Sequence, residues 1–276
     1  MNSRASTVIT SLAQRVADFD HVEPLNEASL LALRNGVEPR VDIRFETPDG
    51  EVMALAFAAG DAPVEVMVDP RFRRGGFGTR MVAAALSDGE TAFWAHGDLP
   101  GAAQIARRNG LIAERTLLVL RKELDGPVEA EIVPDGVTLR AFRPEDEDAI
   151  VAVNARAFAH HPEQGSMDRA DLDQRMSSDW FDPEGLFVAE RSGQIIGFHW
   201  TKIENGLGEV YVVGIDPDAQ GGGLGKALTA RGLRHLQQGG VPAVILYVEG
   251  DNEPALAVYR GLGFHDFKKD VLYTKR

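Results

Sequence analysis

The stretch "QGGGLGK" at residues 220–226 places four glycines in seven residues, directly after the apolar run "EVYVVGIDPDA" (209–219). A looser copy, "RRGGFGT" (73–79), follows "VEVMVDPRF" (64–72). At a constant offset, 64–86 lies over 211–233. Asp69-Pro70 then falls on Asp216-Pro217, Arg73 on Gln220, Gly76 on Gly223 and Gly78 on Gly225. Downstream, "FWAHGDLPGAAQIARRNGLI" (93–112) echoes "LYVEGDNEPALAVYRGLGFH" (246–265). Two halves of similar length with the same order of elements predict a duplicated domain. Between them "KELDGPVEAEIVPDG" (122–136), acidic and rich in Pro and Gly, reads as a linker, which sets the halves at 1–130 and 131–276.

Each half reads as α/β. In the second, "VTLRAFRPEDEDAIVAVNARAF" is a strand, then a helix with Pro at its start and acids in its first turn. "GLFVAERSGQIIGFHWTKI" is a hairpin around Ser192-Gly193, and "GEVYVVGIDP" is a strand that stops at a proline turn. Leu224, Leu228, Leu233 and Leu236 form a helical stripe ended by Gly239-Gly240. "AVILYV" is a buried strand, and "DNEPALAVYRGLGF" is a helix with Asn252 as N-cap and Gly263 as its stop. The order β-α-β-β-β-α-β-α-β predicts a mixed central sheet flanked by helices in each half.

With 276 residues, 44% hydrophobic and 26% charged, the composition is that of a soluble globular protein. A net charge of −13 argues against nucleic acid as the main partner and suits a cationic substrate such as an amine. The absence of cysteine excludes disulfides, thiolate zinc sites and a Cys nucleophile. His160, His161 and the other five histidines show no metal spacing, so they read as structural and no metal is expected. The opening "MNSRASTVITSLAQRVADFD" lacks the apolar core of a signal peptide, and no apolar run approaches the roughly 20 residues of a membrane span. A cytoplasmic monomer with no membrane association is expected.

A glycine turn between strand end and helix start presents unpaired backbone N–H groups and the positive end of the helix dipole, a ready anion site. It also serves as a plain tight turn. Two phosphate motifs fail on named positions. A P-loop needs Gly where Gln220 stands and Ser or Thr where Ala227 stands. The dinucleotide pattern needs Gly where Leu228 stands. What fits both halves is Q/R-x-x-G-x-G/A: Gln220-x-x-Gly223-x-Gly225 and Arg73-x-x-Gly76-x-Gly78. Here the chain resembles the GCN5-related N-acetyltransferases (GNAT), in which this loop cradles the pyrophosphate of coenzyme A. The second half adds that family's Asn-started helix with a Tyr ahead of Gly-Phe. The resemblance implies two tandem GNAT domains.

Acyl transfer to an amine needs a neutral amine, donors for the oxyanion and a proton for the leaving thiolate. The resemblance places the donors on the strand before the loop, near Val213, with Gly214 suited to a splay of its backbone. Glu209 is the candidate base or amine anchor; the competing reading is a strand-end carboxylate. An α-amine titrates near 7.7–8.0 and a glutamate near 4.3, so relay through water, or a raised carboxyl pKa, is easier than direct abstraction. Tyr259 is the candidate acid, and its competing reading is a packed core aromatic. In the first half Ala62 falls under Glu209 and Ala106 under Tyr259. One catalytic half is therefore expected, with a degenerate half that binds coenzyme at most, Arg71, Arg73 and Arg74 being available to assist.

The strings "HPEQG" (161–165), "WFDPEGL" (180–186), "GFHWTK" (197–202), "LYVEGDN" (246–252), "FWAHG" (93–97) and "PLNEASLLALR" (24–34) resemble the mycothiol synthase family over essentially the whole chain. That family transfers acetyl from acetyl-CoA to the cysteinyl amine of 1D-myo-inositol 2-(L-cysteinylamino)-2-deoxy-α-D-glucopyranoside. The resemblance implies substrate contacts at Glu27, Glu163, Lys202, Glu209 and Tyr247. It implies acetyl-CoA contacts at Val213, Gly214 and Ile215, and at Gln220, Gly221, Gly222, Gly223, Leu224, Gly225 and Lys226. Asn252, Glu253, Pro254, Ala255, Leu256 and Ala257 complete that set. A second coenzyme is implied at Val66, Met67 and Val68 and at Arg74, Gly75, Gly76, Phe77, Gly78 and Thr79. Two other readings stay open: a tandem acetyltransferase for another primary amine (an aminoglycoside or a protein N-terminus), and a non-catalytic acyl-CoA sensor. Glu209 and Tyr259 together speak against the sensor, which needs neither.

Overall fold

A computed structural model describes residues 3–160 and 164–276. The chain divides into two compact units, 1–118 with 249–251 and 268–276, and 119–248 with 252–267. The last strand therefore returns to the first unit, and the linker residues 124–136 belong to the second.

In the first unit, α1 (Ser3–Asp20) and α2 (Glu27–Arg34) precede β1 (Val41–Glu46), β2 (Val52–Ala58) and β3 (Val64–Val68). α3 (Phe77–Ser87), β4 (Ala92–Ala95), α4 (Pro100–Arg108) and the start of β5 (Ile112–Glu123) follow. β1, β2 and β3 are antiparallel, β4 runs parallel to β3, and the final strand pairs antiparallel with β4 through Val271–Thr274. Alternation along β2 sorts side chains to two layers. Ala54, Ala56 and Ala58 join Met81, Ala85 and Phe93 on the α3 side, while Leu55 and Phe57 join Ile9, Leu12 and Leu33 on the α1 side.

In the second unit, β6 (Val137–Ala141), α5 (Glu147–Ala157), α6 (Arg169–Met176), β7 (Leu186–Arg191), β8 (Gln194–Glu204) and β9 (Leu207–Ile215) lead to α7 (Leu224–Gln238). β10 (Ala243–Glu249), α8 (Glu253–Gly261) and β11 (His265–Thr274) complete the chain. β6 to β9 form an antiparallel meander, and β10 pairs parallel with β9. Leu224, Leu228, Leu233 and Leu236 are buried, and the helix stops at Gly239-Gly240 as its stripe predicts. α6 is an element the sequence reading lacks. Asp168 caps it by accepting from the Asp171 N–H, and the Asp171 carboxylate accepts from the Asp168 N–H in return. The linker is held along α7: Gln237 donates to the Gly126 carbonyl at 2.7 Å, and Glu131 accepts from Arg231 at 3.1 Å and Arg234 at 2.7 Å.

The duplication extends to the Asp-Pro turns. Asp69 accepts from the Arg71 N–H and from Arg15 of α1 at 2.8 Å; Asp216 accepts from the Asp218 N–H and from Arg156 of α5, also at 2.8 Å. Each unit thus ties the turn that opens its glycine loop to its own leading helix. Of the arginines available to assist phosphate in the first unit, Arg71 is committed to Asp69 and Glu51, and Arg73 to Asp20.

Two histidines, His96 partly buried and His199 fully buried, carry opposite protonation. His96 sits between Glu65 (Nε2 to Oε1, 2.7 Å) and Asp270 (Nδ1 to Oδ2, 3.0 Å). Carboxylates only accept, so both ring nitrogens donate and the ring is an imidazolium. Burial pulls its pKa down, but the hydrogen bonds to Asp270 and Glu65 overcome that and raise it to about 10. His199 donates Nδ1–H to the Leu228 carbonyl at 2.8 Å in a fully buried place, and burial pushes its pKa down to about 4. The folded state holds the His96 proton more tightly than the unfolded chain, and the His199 proton less tightly. The stability from His96 is therefore complete below about pH 6.5 and lost as pH rises toward 10. The neutrality of His199 favours folding above about pH 6.5, and that advantage is lost as pH falls toward 4. Thermal melts across this range should peak near neutrality, and the advantage of wild type over His96→Gln should shrink as the buffer becomes alkaline. An advantage that grows with pH would contradict the imidazolium assignment.

Candidate active site

β9 and β10 are in register only at Gly208↔Val244 and Glu209↔Ile245. Beyond Glu209 the parallel strands diverge, and Val213, Gly214 and Ile215 line the β9 side of the opening. A second irregularity lies on the other edge of β9. Trp200 pairs with Val212 and Thr201 with Val210, so Tyr211 is the bulged residue. The irregularity on the β8 edge thus falls ahead of Gly214, the residue expected to suit a splay. Gly214 remains paired with Phe198, and a Cβ there would come within 2.5 Å of the Phe198 ring. Its glycine serves packing.

The loop opens at the mouth of that divergence. Gln220 donates to the Ile215 carbonyl at 3.4 Å; Gly221 (φ +86°) and Gly223 (φ +82°) take left-handed conformations, and α7 starts at Leu224. The first-turn N–H groups of Leu224, Gly225 and Lys226 have no carbonyl within the helix to receive them. Gly222 is the informative position. Its φ is not left-handed, and a Cβ would meet nothing within 4 Å. Neither backbone nor packing calls for a glycine there, whereas an anion drawn close to the main chain does. The cradle fits a pyrophosphate. Lys226 lies 3.5 Å from Glu129. Asn252 caps α8 by accepting from the Ala255 N–H at 3.2 Å, and Glu253, Pro254, Ala255, Leu256 and Ala257 form its first turns.

Three of the expected substrate residues come together. Lys202 on β8 is the direct partner of Glu209 on β9, and Glu209 is in register with Ile245 on β10. Cross-strand partners share a face, and so does Tyr247, two residues beyond Ile245 and 48% exposed. The wall around Lys202 has no local mark in the sequence. The Lys202 ammonium is buried, 5.0 Å from the Trp180 ring centre and 5.6 Å from that of Tyr211, with Glu204 at 3.1 Å. Trp180, Trp200 and Tyr211 pack edge to face or tilted, with centroids 4.9 to 5.7 Å apart. "WFDPEGL" and "GFHWTK" carry these rings, but only cross-strand register joins them. Glu163 lies outside the described residues. Glu27 begins α2 in the first unit.

Tyr259 on α8 is half-buried with its ring 6.0 Å from Phe264, and burial pushes its pKa up to about 12. It holds its proton at neutral pH.

The first unit repeats the frame with different contents. Val66, Met67 and Val68 end β3, which is in register with β4 only at Val64↔Phe93 and Glu65↔Trp94. Arg74 (φ +67°), Gly75 and Gly76 (φ +80°) form the loop, and Phe77, Gly78 and Thr79 the first turn of α3. A Cβ on Gly78 would come within 2.8 Å of Ile105, whereas at Gly225 the nearest atom is Ile215 at 3.9 Å.

A diverging parallel pair, a glycine cradle at its mouth and a carboxylate beside it are the parts of an acyl-CoA-dependent N-acyltransferase. The acetyltransferase (GNAT) family model matches residues 154–264. A GCN5-related N-acetyltransferase from Sphaerobacter thermophilus superposes on all of this chain and 93% of its own, with TM-score 0.77 and 26% identity. A tandem GNAT protein from the clavulanic acid biosynthesis pathway shares the fold over 98% of this chain and 94% of its own (TM-score 0.68, 17% identity). The class is therefore a tandem GNAT acetyltransferase that uses acetyl-CoA. A mycothiol acetyltransferase from Acidothermus cellulolyticus is 44% identical over 97% of this chain and 90% of its own length, and the chain belongs to the mycothiol acetyltransferases.

Proposed function

We propose that the second unit carries the chemistry, moving acetyl from acetyl-CoA to the cysteinyl amine of 1D-myo-inositol 2-(L-cysteinylamino)-2-deoxy-α-D-glucopyranoside. What supports this most is the row Lys202, Glu209, Tyr247 on one face beside the diverging strands. Glu209, directly or through water, takes the ammonium proton of the amine, which then attacks the thioester carbonyl. The tetrahedral oxyanion accepts from main-chain N–H near Val213. Collapse breaks the C–S bond and Tyr259 gives its proton to the departing sulfur, while the proton that the attacking nitrogen sheds as it becomes an amide goes to water, from which the phenol is restored. Tyrosine is the weaker acid in water, but a thiolate forming in apolar surroundings is raised by the same desolvation that raises Tyr259.

Acetyl-CoA lies along 213–215, 220–226 and 252–257, with its pyrophosphate on the cradle. Lys202, Tyr247 and Glu163 contact the pseudodisaccharide, Lys202 and Tyr247 donating to its oxygens. The first unit holds a second coenzyme at 66–68 and 74–79 without turnover. The protein works as a cytoplasmic monomer without nucleic acid.

Tyr259→Phe keeps the ring and removes the proton. It should lower kcat on the order of 10²-fold with little change in either KM, read by steady-state kinetics with both substrates varied. Wild-type kcat in that variant would remove Tyr259 from the mechanism.

A further inference from the structure

Lys202 carries its charge where a charge is costly. Its side chain is 9% exposed, and β8 ends only two residues further on, at Glu204. A lysine so near a strand end ordinarily runs its ammonium out to water. This one stays covered. Its ion-pair partner Glu204, at 3.1 Å, is itself 42% exposed. An ammonium has three donors, and burying it is unfavourable unless they are met. Aromatic faces supply further cover, with the ring centres of Trp180 at 5.0 Å and Tyr211 at 5.6 Å. Such faces attract a cation most strongly where water is excluded.

The segment that carries Trp180 is fixed on both sides of it. Just past α6, the Phe181 N–H donates to the Ser178 carbonyl at 3.0 Å. Asp182 then accepts from the Glu184 N–H at 3.0 Å and pairs with His235 of α7, also at 3.0 Å. Phe181 packs edge to face on Trp200 at 5.6 Å. Trp200 is fully buried, as a core aromatic is, whereas Trp180 stays partly exposed and turns its ring to a cation. The ring is therefore placed for more than core packing. Tyr211, 4.9 Å from Trp180, is steadied by a second cation, Arg175 of α6, at 5.8 Å. All of these residues belong to the second unit. We propose that Trp180 is a positioning residue for Lys202. With Tyr211 it holds the ammonium beside Glu209, the cross-strand partner of Lys202, where it donates to an oxygen of the pseudodisaccharide. This rests on the reading of Lys202 as a substrate contact.

The test is a double-mutant cycle of Trp180→Leu with Lys202→Met on the full chain, with acetyl-CoA and the pseudodisaccharide varied separately. Trp180→Leu should raise KM for the pseudodisaccharide roughly tenfold, while kcat and the acetyl-CoA KM stay within about twofold. Lys202→Met keeps the length of the side chain and removes its charge. It should raise the same KM at least as much, and the double variant should be no worse than Lys202→Met alone. Trp180→Phe keeps an aromatic face on the ammonium, guards against misfolding of the leucine variant, and should bring KM back to within about threefold of wild type. If Lys202→Met leaves KM unchanged, the reading of Lys202 fails and the proposal with it. If Lys202→Met raises KM but Trp180→Leu does not, or the two effects multiply, the positioning role alone is overturned. A phenylalanine variant as impaired as the leucine one would overturn it too. So would a fall in kcat together with a rise in both KM values, since that marks a structural role only.

Discussion

Glu209→Gln is expected to lower kcat by on the order of 10²–10⁴-fold, with the acetyl-CoA KM close to wild type. Glutamine keeps the size and the accepting oxygen of the side chain but cannot take a proton. Glu209 stands where β9 and β10 part, and its cross-strand partner is Lys202. The substitution therefore changes proton transfer at a fixed place, without touching the glycine loop. The low-pH limb of the rate profile should be lost along with the rate, because that limb reports a carboxyl group or the amine it deprotonates. A variant that turns over at the wild-type rate would move the base elsewhere.

Gly222→Glu is expected to raise the acetyl-CoA KM by more than about 100-fold, or abolish saturation, while the melting temperature stays near wild type. The position separates binding from folding. Its backbone is not left-handed and the space beside it is open, so the new side chain strains nothing and puts a carboxylate where the pyrophosphate belongs. Gly223→Ala is the contrasting case. At φ +82° any Cβ costs about 1–2 kcal/mol, so stability falls before binding is tested. Coenzyme titration carries the comparison to the first unit, where Gly76→Glu should remove one acetyl-CoA per chain, with the melting temperature read alongside because Gly76 (φ +80°) carries the same backbone cost as Gly223. If Gly222→Glu bound acetyl-CoA normally, the cradle assignment would fail.

The cradle was legible because it is local. A strand, an Asp-Pro turn, glycines and a leucine stripe are contiguous, and each property follows from residues within a turn or two. The Asn252 cap and the Gly239-Gly240 stop were legible for the same reason. The acceptor face was legible only as separate residues. Lys202, Glu209 and Tyr247 meet through the registers of three strands, and a bulge at Tyr211 shifts one of them by a residue. No pattern in "GEVYVVGIDP" marks that bulge. The aromatic wall around Lys202 depends on the same registers. α6 has a capping box but a weak apolar stripe, with Leu172 its one fully buried side chain. The His96 network joins residues 174 positions apart, through a last strand that returns to the first unit. Its only sequence trace is an acid, Asp270, beside the apolar "VLY" run.

Acetylation of the cysteinyl pseudodisaccharide is read by incubating the purified protein with acetyl-CoA and that substrate, and following both products by mass spectrometry. One N-acetylated cysteinyl product should form for each CoA released, with turnover lost in Glu209→Gln. Failure of this substrate to be acetylated, in a protein that still binds acetyl-CoA and acetylates another primary amine, would contradict the proposed function.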